Sequence, residues 1–412
     1  MTSPPAYLTE YLNKLAKDEG FVEHTLHYES GSNHGDGFVA VMVAVTIKGK
    51  KTVDADGEDE LSLMCKLLPE NRARREFFNS YMLFEREVCV YSRFLPMFEK
   101  FQNDRNISRS DGFFQYPKCY LAVANAADDH YVIVMENVKV SNYELWDKMK
   151  PVDFDTSSIF LQTLGRYHAI SIALRDQKPE LFKELLDLED ILTAMVELPN
   201  ITNMMHGAMD KAIEHLTCED EKNILRKLRD DYKQSIQNLF APGAAGHLGV
   251  LLHGDCWNNN FCFKTDANNK PSEICLFDWQ VSCVGSPVLD LSYYLLTSTT
   301  KELRVRYTDL IEVYHNSISE LLTKLGSDPI KLCPIDELNR QLKQFGVYGV
   351  IMAPILLQVI VSDSKNIVDM DSVTADTDNI DMATMDDKSK IVYRDRISDA
   401  LQDAIKFGWI NL

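Results

Sequence analysis

The stretch from Val250 to Gln280 concentrates the side chains with chemistry to offer. A short apolar strand, Val250-Leu251-Leu252, leads into His253-Gly254-Asp255-Cys256-Trp257-Asn258-Asn259-Asn260. Phe261-Cys262-Phe263 then runs outward, Asp266 to Pro271 turns, and Ile274 to Phe277 runs back into Asp278-Trp279-Gln280. In an antiparallel hairpin the start of one strand neighbours the end of the other. The spacing therefore predicts that Asn260 and Asp278 meet, although 18 positions separate them. A hard cation such as Mg²⁺ takes oxygen ligands and keeps waters and substrate phosphates in its shell, so one amide oxygen and one carboxylate suffice from the protein. Asp255 turns back across the loop towards the same point, where it can accept a hydroxyl proton. Asp and Asn are also ordinary turn formers. The complete set, in this order and joined by a hairpin, points to phosphoryl transfer.

The His-Gly-Asp-x-x-x-x-Asn spacing with a later Asp parallels the kinase catalytic loop and metal-binding Asp. Two features nearer the N-terminus bear on that idea independently. Lys66 lies inside the apolar run Leu61 to Leu68, where a buried ammonium is costly unless paired. Phe84, Val88 and Tyr91 form one face of the following helix, with Glu87 projecting between Phe84 and Tyr91. Lys66 and Glu87 are expected to form the ion pair that aims the lysine at the α- and β-phosphates. The bland alternative is a lysine that snorkels from an edge strand. Upstream, Ser30 to Gly37 is a Gly-Ser-Asn-Asp turn whose backbone N–H groups could cradle phosphates. Met135-Glu136-Asn137-Val138 ends the last strand of this region, where a hinge would offer backbone groups to an adenine.

The elements that must position these residues change in texture along the chain. Residues 6–20 carry Leu8, Leu12 and Leu15 at near-helical spacing. Phe38–Ile47, Leu61–Leu68, Tyr120–Ala124 and Tyr131–Met135 are short, β-branched or alternating, as strands are. A helix is expected at about 72–94. After Val140 long helical periods follow, roughly 156–174, 187–216 and 219–240, and again from Leu289 onward. The acidic stretch 362–388 has little periodicity and is expected to be a mobile loop. The pattern predicts an α+β architecture of two lobes, residues 1–138 strand-rich and 139–412 helical, with the site between them.

Composition narrows the function classes. The 412 residues hold 43 Lys plus Arg against 62 Asp plus Glu, a formal charge of −19. So acidic a surface repels phosphate backbones and anionic bilayers, and no nucleic-acid or membrane partner is expected. The longest apolar stretch, Phe345–Val361, is interrupted by Gly349, Pro354 and Gln358 and reads as a buried core helix. The N-terminal residues do not read as a secretory signal. Nine scattered cysteines without a C-x-x-C pair suit a reducing compartment, so a cytoplasmic location is expected. Cys256, Cys262, Cys275 and Cys283 fit no common zinc spacing. His168, His253 and Asp290 are expected to pack or hydrogen-bond around the catalytic loop.

On these residues the sequence resembles the ecdysteroid kinase-like (CHK kinase-like) family, within the aminoglycoside phosphotransferase and choline kinase group. Gly35-Asp36 before a strand looks like that family's phosphate loop, and Cys65-Lys66-Leu67-Leu68-Pro69 like its lysine strand. Phe84-x-x-Glu87-x-x-x-Tyr91 resembles its helix motif, and His253-Gly254-Asp255-x-Trp257-x-Asn259-Asn260 its catalytic loop. Asp278-Trp279-Gln280 corresponds to a motif more often ending Asp-Phe-Gln, followed by Gly285-Ser286-Pro287-x-x-Asp290-Leu291. Tyr393-Arg394-Asp395-Arg396 and Gly408-Trp409-Ile410 look like its closing helix. Trp279 for Phe, and Gly37 where Asn is frequent, depart from the pattern.

The resemblance implies a protein-kinase-like fold and ATP-dependent phosphorylation of a small-molecule alcohol such as an ecdysteroid, in steroid metabolism or detoxification. It makes Asp255 the base, Asn260 and Asp278 the Mg²⁺ ligands, and Lys66 with Glu87 the phosphate clamp. Gly35, Asp36, Glu136 and Val138 would complete the ATP site, and no obligate protein partner is implied. The alternatives are a weak or inactive kinase-fold binding protein, a phosphotransferase with a polar choline- or aminoglycoside-type acceptor, and a protein kinase. Gln280 in place of the Gly of Asp-Phe-Gly, and Gly254 in place of the Arg of His-Arg-Asp, argue against the last.

Overall fold

The computed structural model describes residues 4–31, 37–52, 57–188, 190–268 and 270–410. Gly35 and Asp36 therefore lie outside the described residues.

Strands β1 (Glu23–Ser30), β2 (Val41–Lys50), β3 (Asp59–Leu67), β4 (Cys119–Asn125) and β5 (His130–Glu136) form one antiparallel sheet in the order β1-β2-β3-β5-β4. Helix α1 (Ala6–Asp18) buries Leu8, Leu12 and Leu15 against one face, where Leu63, Cys65 and Leu67 meet Val132 and Val134. Successive strand side chains point to opposite faces, so Met64 and Lys66 turn to the other side. There Met64 joins a second apolar cluster with Phe84, Tyr91 and Met135. β1 carries only half-buried and exposed residues. Its sequence, Glu-His-Thr-Leu-His-Tyr-Glu-Ser, has too few apolar positions to announce an edge strand.

The single helix expected over 72–94 is instead a series. Helix α2 (Arg72–Phe77) stops before Asn79, which takes a left-handed φ of 50°, and α3 (Ser80–Cys89) starts after it. A π-helical turn, Val90–Phe94, joins α3 to α4 (Leu95–Asn103). Asn tolerates the left-handed region better than most residues, and hydrophobic periodicity passes straight over such a break.

Beyond residue 138 the chain is mostly helical. Helix α5 (Phe154–Gln177) is buried along most of its length and packs against the Tyr307–Leu325 helix. The periods expected over 187–216 and 219–240 each divide, into Ile191–Met195 and Pro199–His215, then Glu219–Asp230 and Tyr232–Leu239. Asp190 caps one start and Pro199 opens another, both ordinary helix-start residues. Five short strands, β6 (Glu144–Leu145), β7 (Val250–Leu251), β8 (Phe261–Thr265), β9 (Pro271–Leu276) and β10 (Val284–Gly285), frame the loop from His253 to Asn260. β8 and β9 form the expected hairpin with β6 beside β8, while β7 pairs with β10.

The 362–388 stretch is folded, contrary to expectation. It contains two 3₁₀ turns, Ser364–Asn366 and Met370–Ser372, and a bridge between Ile367 and Ala383. Met370, Val373, Ile380, Met382 and Met385 are buried; apolar residues at irregular intervals supply a core contribution that no period announces. Among the described residues no single helix is long and apolar enough to cross a membrane. Pro329–Phe345 and Val347–Ile360 pass that test only jointly, meeting at 53°, and the second is largely buried. The whole is an antiparallel-sheet lobe followed by a helical lobe, an α+β arrangement.

Candidate active site

Lys66 on β3 and Glu87 on α3 meet directly, and the Lys66 ammonium also contacts Asp278 Oδ1 at 2.8 Å. The side chains of Lys66 and Glu87 are only 7% and 1% exposed, against 25% for Asp278, so the contact is an interior pair with one carboxylate open to the cleft. Burial opposes the ammonium, but the charges and hydrogen bonds of Asp278 and Glu87 outweigh it and raise the Lys66 pKa. Burial pushes the Glu87 carboxyl up as well.

The hairpin explains how Asp278 arrives there. Phe261 pairs with Leu276, and the Phe277 N–H donates to Asn260 O at 3.1 Å. Asn260 is thereby held at the neck of the hairpin, next to the residue preceding Asp278. Asp278 takes φ 69°, a left-handed conformation for a non-glycine residue. Such strain persists only where the surroundings over-determine it; here Lys66 holds the carboxylate.

Across the cleft, Asn260 Nδ2 donates to Asp255 Oδ2 at 2.7 Å and to the Asp255 carbonyl at 3.0 Å. The Tyr293 hydroxyl donates to the other carboxylate oxygen, Oδ1. Burial, reinforced by the nearby charge of Asp278, pushes the Asp255 carboxyl up to about 6. Tyr293 stands three residues after Asp290 on the Pro287–Thr297 helix, hence on a neighbouring face. In sequence it is one aromatic in an apolar helix, and nothing local sets it apart.

The loop is pinned from beneath by Asp290. Its two oxygens accept the backbone N–H groups of His253, at 2.8 Å, and Gly254, at 2.9 Å. His168 Nε2 reaches the same carboxylate at 3.1 Å, and Tyr314 OH holds His168 Nδ1 at 2.7 Å. Burial would raise the Asp290 pKa, but these hydrogen bonds and the neighbouring histidines win and keep it lowered. His253 bonds the Phe277 carbonyl through Nε2 at 3.0 Å and accepts the Asp255 N–H at Nδ1. Both contacts require the neutral Nε2–H tautomer, and burial lowers the His253 pKa accordingly. The three residues expected to brace the loop do so.

Two glycines have local reasons. Gly254 has φ +88°, and a Cβ there would lie 2.4 Å from the Val281 carbonyl, so the arginine of a His-Arg-Asp loop does not fit. A Cβ on Gly37 would lie 2.8 Å from the Ala40 carbonyl. Trp279 is fully buried against His253, Tyr167 and Phe113, with no hydrogen-bond partner for its indole N–H among the described residues.

Lys66, Glu87, Asp255, Asn260 and Asp278 line one cleft, open to solvent. Glu136 and Val138 stand on its wall, as do Gly37, Phe38 and Ala40. Among the described residues no group of three or more His, Cys, Asp or Glu is arranged to hold a metal. All nine cysteines are free.

The sequence model of the ecdysteroid kinase-like family matches residues 34–327. None of the curated proteins matches the chain. Among solved structures, Plasmodium vivax ethanolamine kinase is similar with a TM-score of 0.40 and 16% identity, covering 98% of this chain and 88% of that one. The GDP complex of wild-type aminoglycoside 2'-phosphotransferase-IIIa is similar with a TM-score of 0.40 and 11% identity, covering 96% and 98%.

Proposed function

This chain belongs to the ecdysteroid kinase-like family, and from that premise we propose that it transfers the γ-phosphate of ATP to a hydroxyl of an ecdysteroid or related apolar alcohol. The observation that carries the reading is the Lys66 ammonium shared by Glu87 and Asp278 in the cleft that also holds Asp255 and Asn260. A buried lysine needs partners; a buried lysine whose second partner stands in an open cleft is poised to exchange that partner for a phosphate. The steroid class of acceptor is carried by family membership.

In this reading Lys66 binds the α- and β-phosphates and Glu87 keeps it aimed. The backbone at Glu136 and Val138 receives the adenine, and Gly35-Asp36 belongs to the phosphate loop. The division near residue 138 separates the nucleotide-holding lobe from the lobe that carries the base and the acceptor. Asp255 takes the proton of the acceptor hydroxyl as that oxygen bonds to the γ-phosphorus and the bond to the ADP oxygen breaks. Tyr293 and Asn260 hold the carboxylate still for this step.

A magnesium ion fits the residues present. Asp278 has one carboxylate oxygen on Lys66 and a second beyond that bond, and Asn260 engages Asp255 through its nitrogen, so its amide oxygen is the group left to coordinate. Two hard oxygens suit an ion that keeps its remaining shell for water and phosphate. When bound, the ion would neutralise charge on the β- and γ-phosphates. The free cysteines support a reducing, cytoplasmic setting.

The test is ADP release with ATP and Mg²⁺ across ecdysteroids, other alcohols and choline. Turnover on a steroid, reduced at least ~10²-fold in Asp255→Ala, is the expected result. Turnover on choline alone would replace the acceptor class, and tight ATP binding without turnover on any member would move the protein to the binding class.

A further inference from the structure

Arg74 on α2 is 4% exposed, and its guanidinium reaches in two directions. Its Nε donates to the Phe38 carbonyl at 2.9 Å, and Nη2 donates to the carbonyls of Gly37, at 2.8 Å, and Ala40, at 3.3 Å. Those three residues form the arm that runs into β2 and lines the cleft. Nη1 points away from the arm and binds Asp371 Oδ1 at 2.9 Å. One residue cluster therefore joins a wall of the cleft to the folded acidic segment 363–386.

That segment is seated on both lobes. On the sheet side, Asn71 caps α2 with its oxygen and holds the segment with its nitrogen, donating to the Asp371 and Val373 carbonyls at 3.0 and 2.9 Å. On the helical side, Asn203 donates to the Asp378 carbonyl, and Lys211 binds Asp381 and the Ala383 carbonyl. Both lysine and asparagine there come from the Pro199–His215 helix. The chain from 371 to 383 is thus a strap across the two lobes, fastened to Arg74 at one end.

We propose that Arg74 is a positioning residue for the nucleotide, and that the 363–386 strap sets it in place. A planar guanidinium offers donors in a fixed fork, which suits three carbonyls on one side and a carboxylate on the other; a lysine ammonium cannot span them. With the fork held by Asp371, the Gly37–Ala40 arm is fixed at one distance from the cleft floor, and the backbone that faces bound phosphates moves less. The proposal rests on the reading that this cleft binds ATP.

The experiment is equilibrium binding of a fluorescent ADP analogue with Mg²⁺, alongside thermal unfolding, for wild type, Arg74→Lys, Asp371→Ala, Asp381→Ala and Lys66→Ala. Loss of Asp371, 68% exposed, leaves the buried Arg74 guanidinium on its three carbonyl acceptors, so the variant should melt lower but stay folded at the assay temperature. Asp371→Ala should nonetheless weaken binding about 3-fold, and Arg74→Lys about 10-fold. A double variant carrying Arg74→Lys and Asp371→Ala should bind no more weakly than Arg74→Lys alone, because both substitutions break one linkage. Unchanged affinity in Asp371→Ala overturns the proposal, even should Arg74→Lys fail to fold. A structural strap with no bearing on nucleotide would instead shift unfolding equally in Asp371→Ala and Asp381→Ala, without weakening binding in either. A wild type that binds the analogue no better than Lys66→Ala overturns the ATP reading itself, a result distinct from failure of the clamp.

Discussion

Asp255 is held by two opposing sets of forces, and the balance has a measurable consequence. Burial and the charge of Asp278 favour its protonated form, while the hydrogen bonds from Tyr293 and Asn260 favour the anion; the outcome is a carboxyl near 6. The base that we propose must be ionised to accept a proton, so the nucleotide-dependent rate should fall along one proton's titration as pH drops through about 6. Stability should respond in the opposite sense. A carboxyl whose pKa is higher folded than unfolded stabilises the fold most below its unfolded value, and that contribution is lost as pH rises through about 6. Asp255→Asn removes the ionisation, so the nucleotide-free variant should be about 1–2 kcal/mol more stable than wild type at pH 8 and equal to it at pH 4, by urea unfolding. A variant less stable at pH 8 would mean that the carboxylate is not strained. Lys66, Glu87 and the loop Asp and Asn were legible because each depends on local pattern: a charge inside an apolar strand, a charge on an apolar helix face, turn residues at both ends of a hairpin. Tyr293 and Arg74 were not, since an aromatic in an apolar helix and an arginine in a charged run look like core and surface respectively.

At the scale of elements, the loop from His253 to Asn260 is a short irregular segment made rigid by what lies below it. Asp290 satisfies two loop N–H groups and faces His168, all of them buried. Asp290→Ala leaves those donors without a partner and should cost about 3–5 kcal/mol at pH 7, read as a lower urea midpoint. Because its pKa is lowered, the stability Asp290 contributes is present above the ordinary carboxylate range and is lost as pH falls through its folded value. The difference between variant and wild type should therefore narrow in acid; a constant gap would argue that the carboxylate charge plays no part. Strands β2, β3 and β5 and the β8–β9 hairpin were readable from alternation and turn chemistry. Edge strand β1 was not, and neither were the breaks at Asn79, Asp190 and Pro199, because periodicity reports a face and not its interruptions.

At the scale of the molecule, the cleft lies where the sheet lobe and the helical lobe meet, and the Lys66–Asp278 contact crosses it. A ligand that binds only the folded state raises its stability by mass action, about 2.7 kcal/mol at 100 times Kd. Saturating ADP with Mg²⁺ should raise the unfolding midpoint of wild type and leave that of Lys66→Ala unmoved; an equal rise in both would take the lysine out of the nucleotide site. The two-lobed order was legible from the shift in texture near Val140. The fold of 362–388 was not: its acids dominate the composition, while Met370, Val373, Ile380, Met382 and Met385 decide its burial.

The strap also has a history within each molecule. Arg74 and Asp371 are 297 residues apart, and at about 5–20 residues per second a ribosome takes roughly 15–60 s to go from one to the other. The sheet that carries Lys66 emerges long before the segment that fastens Arg74, and so does the β8–β9 hairpin. Until residue 371 has been added, Arg74 lacks the carboxylate that fastens it, so this wall of the cleft can be completed only after the sheet and the hairpin beside it have been made.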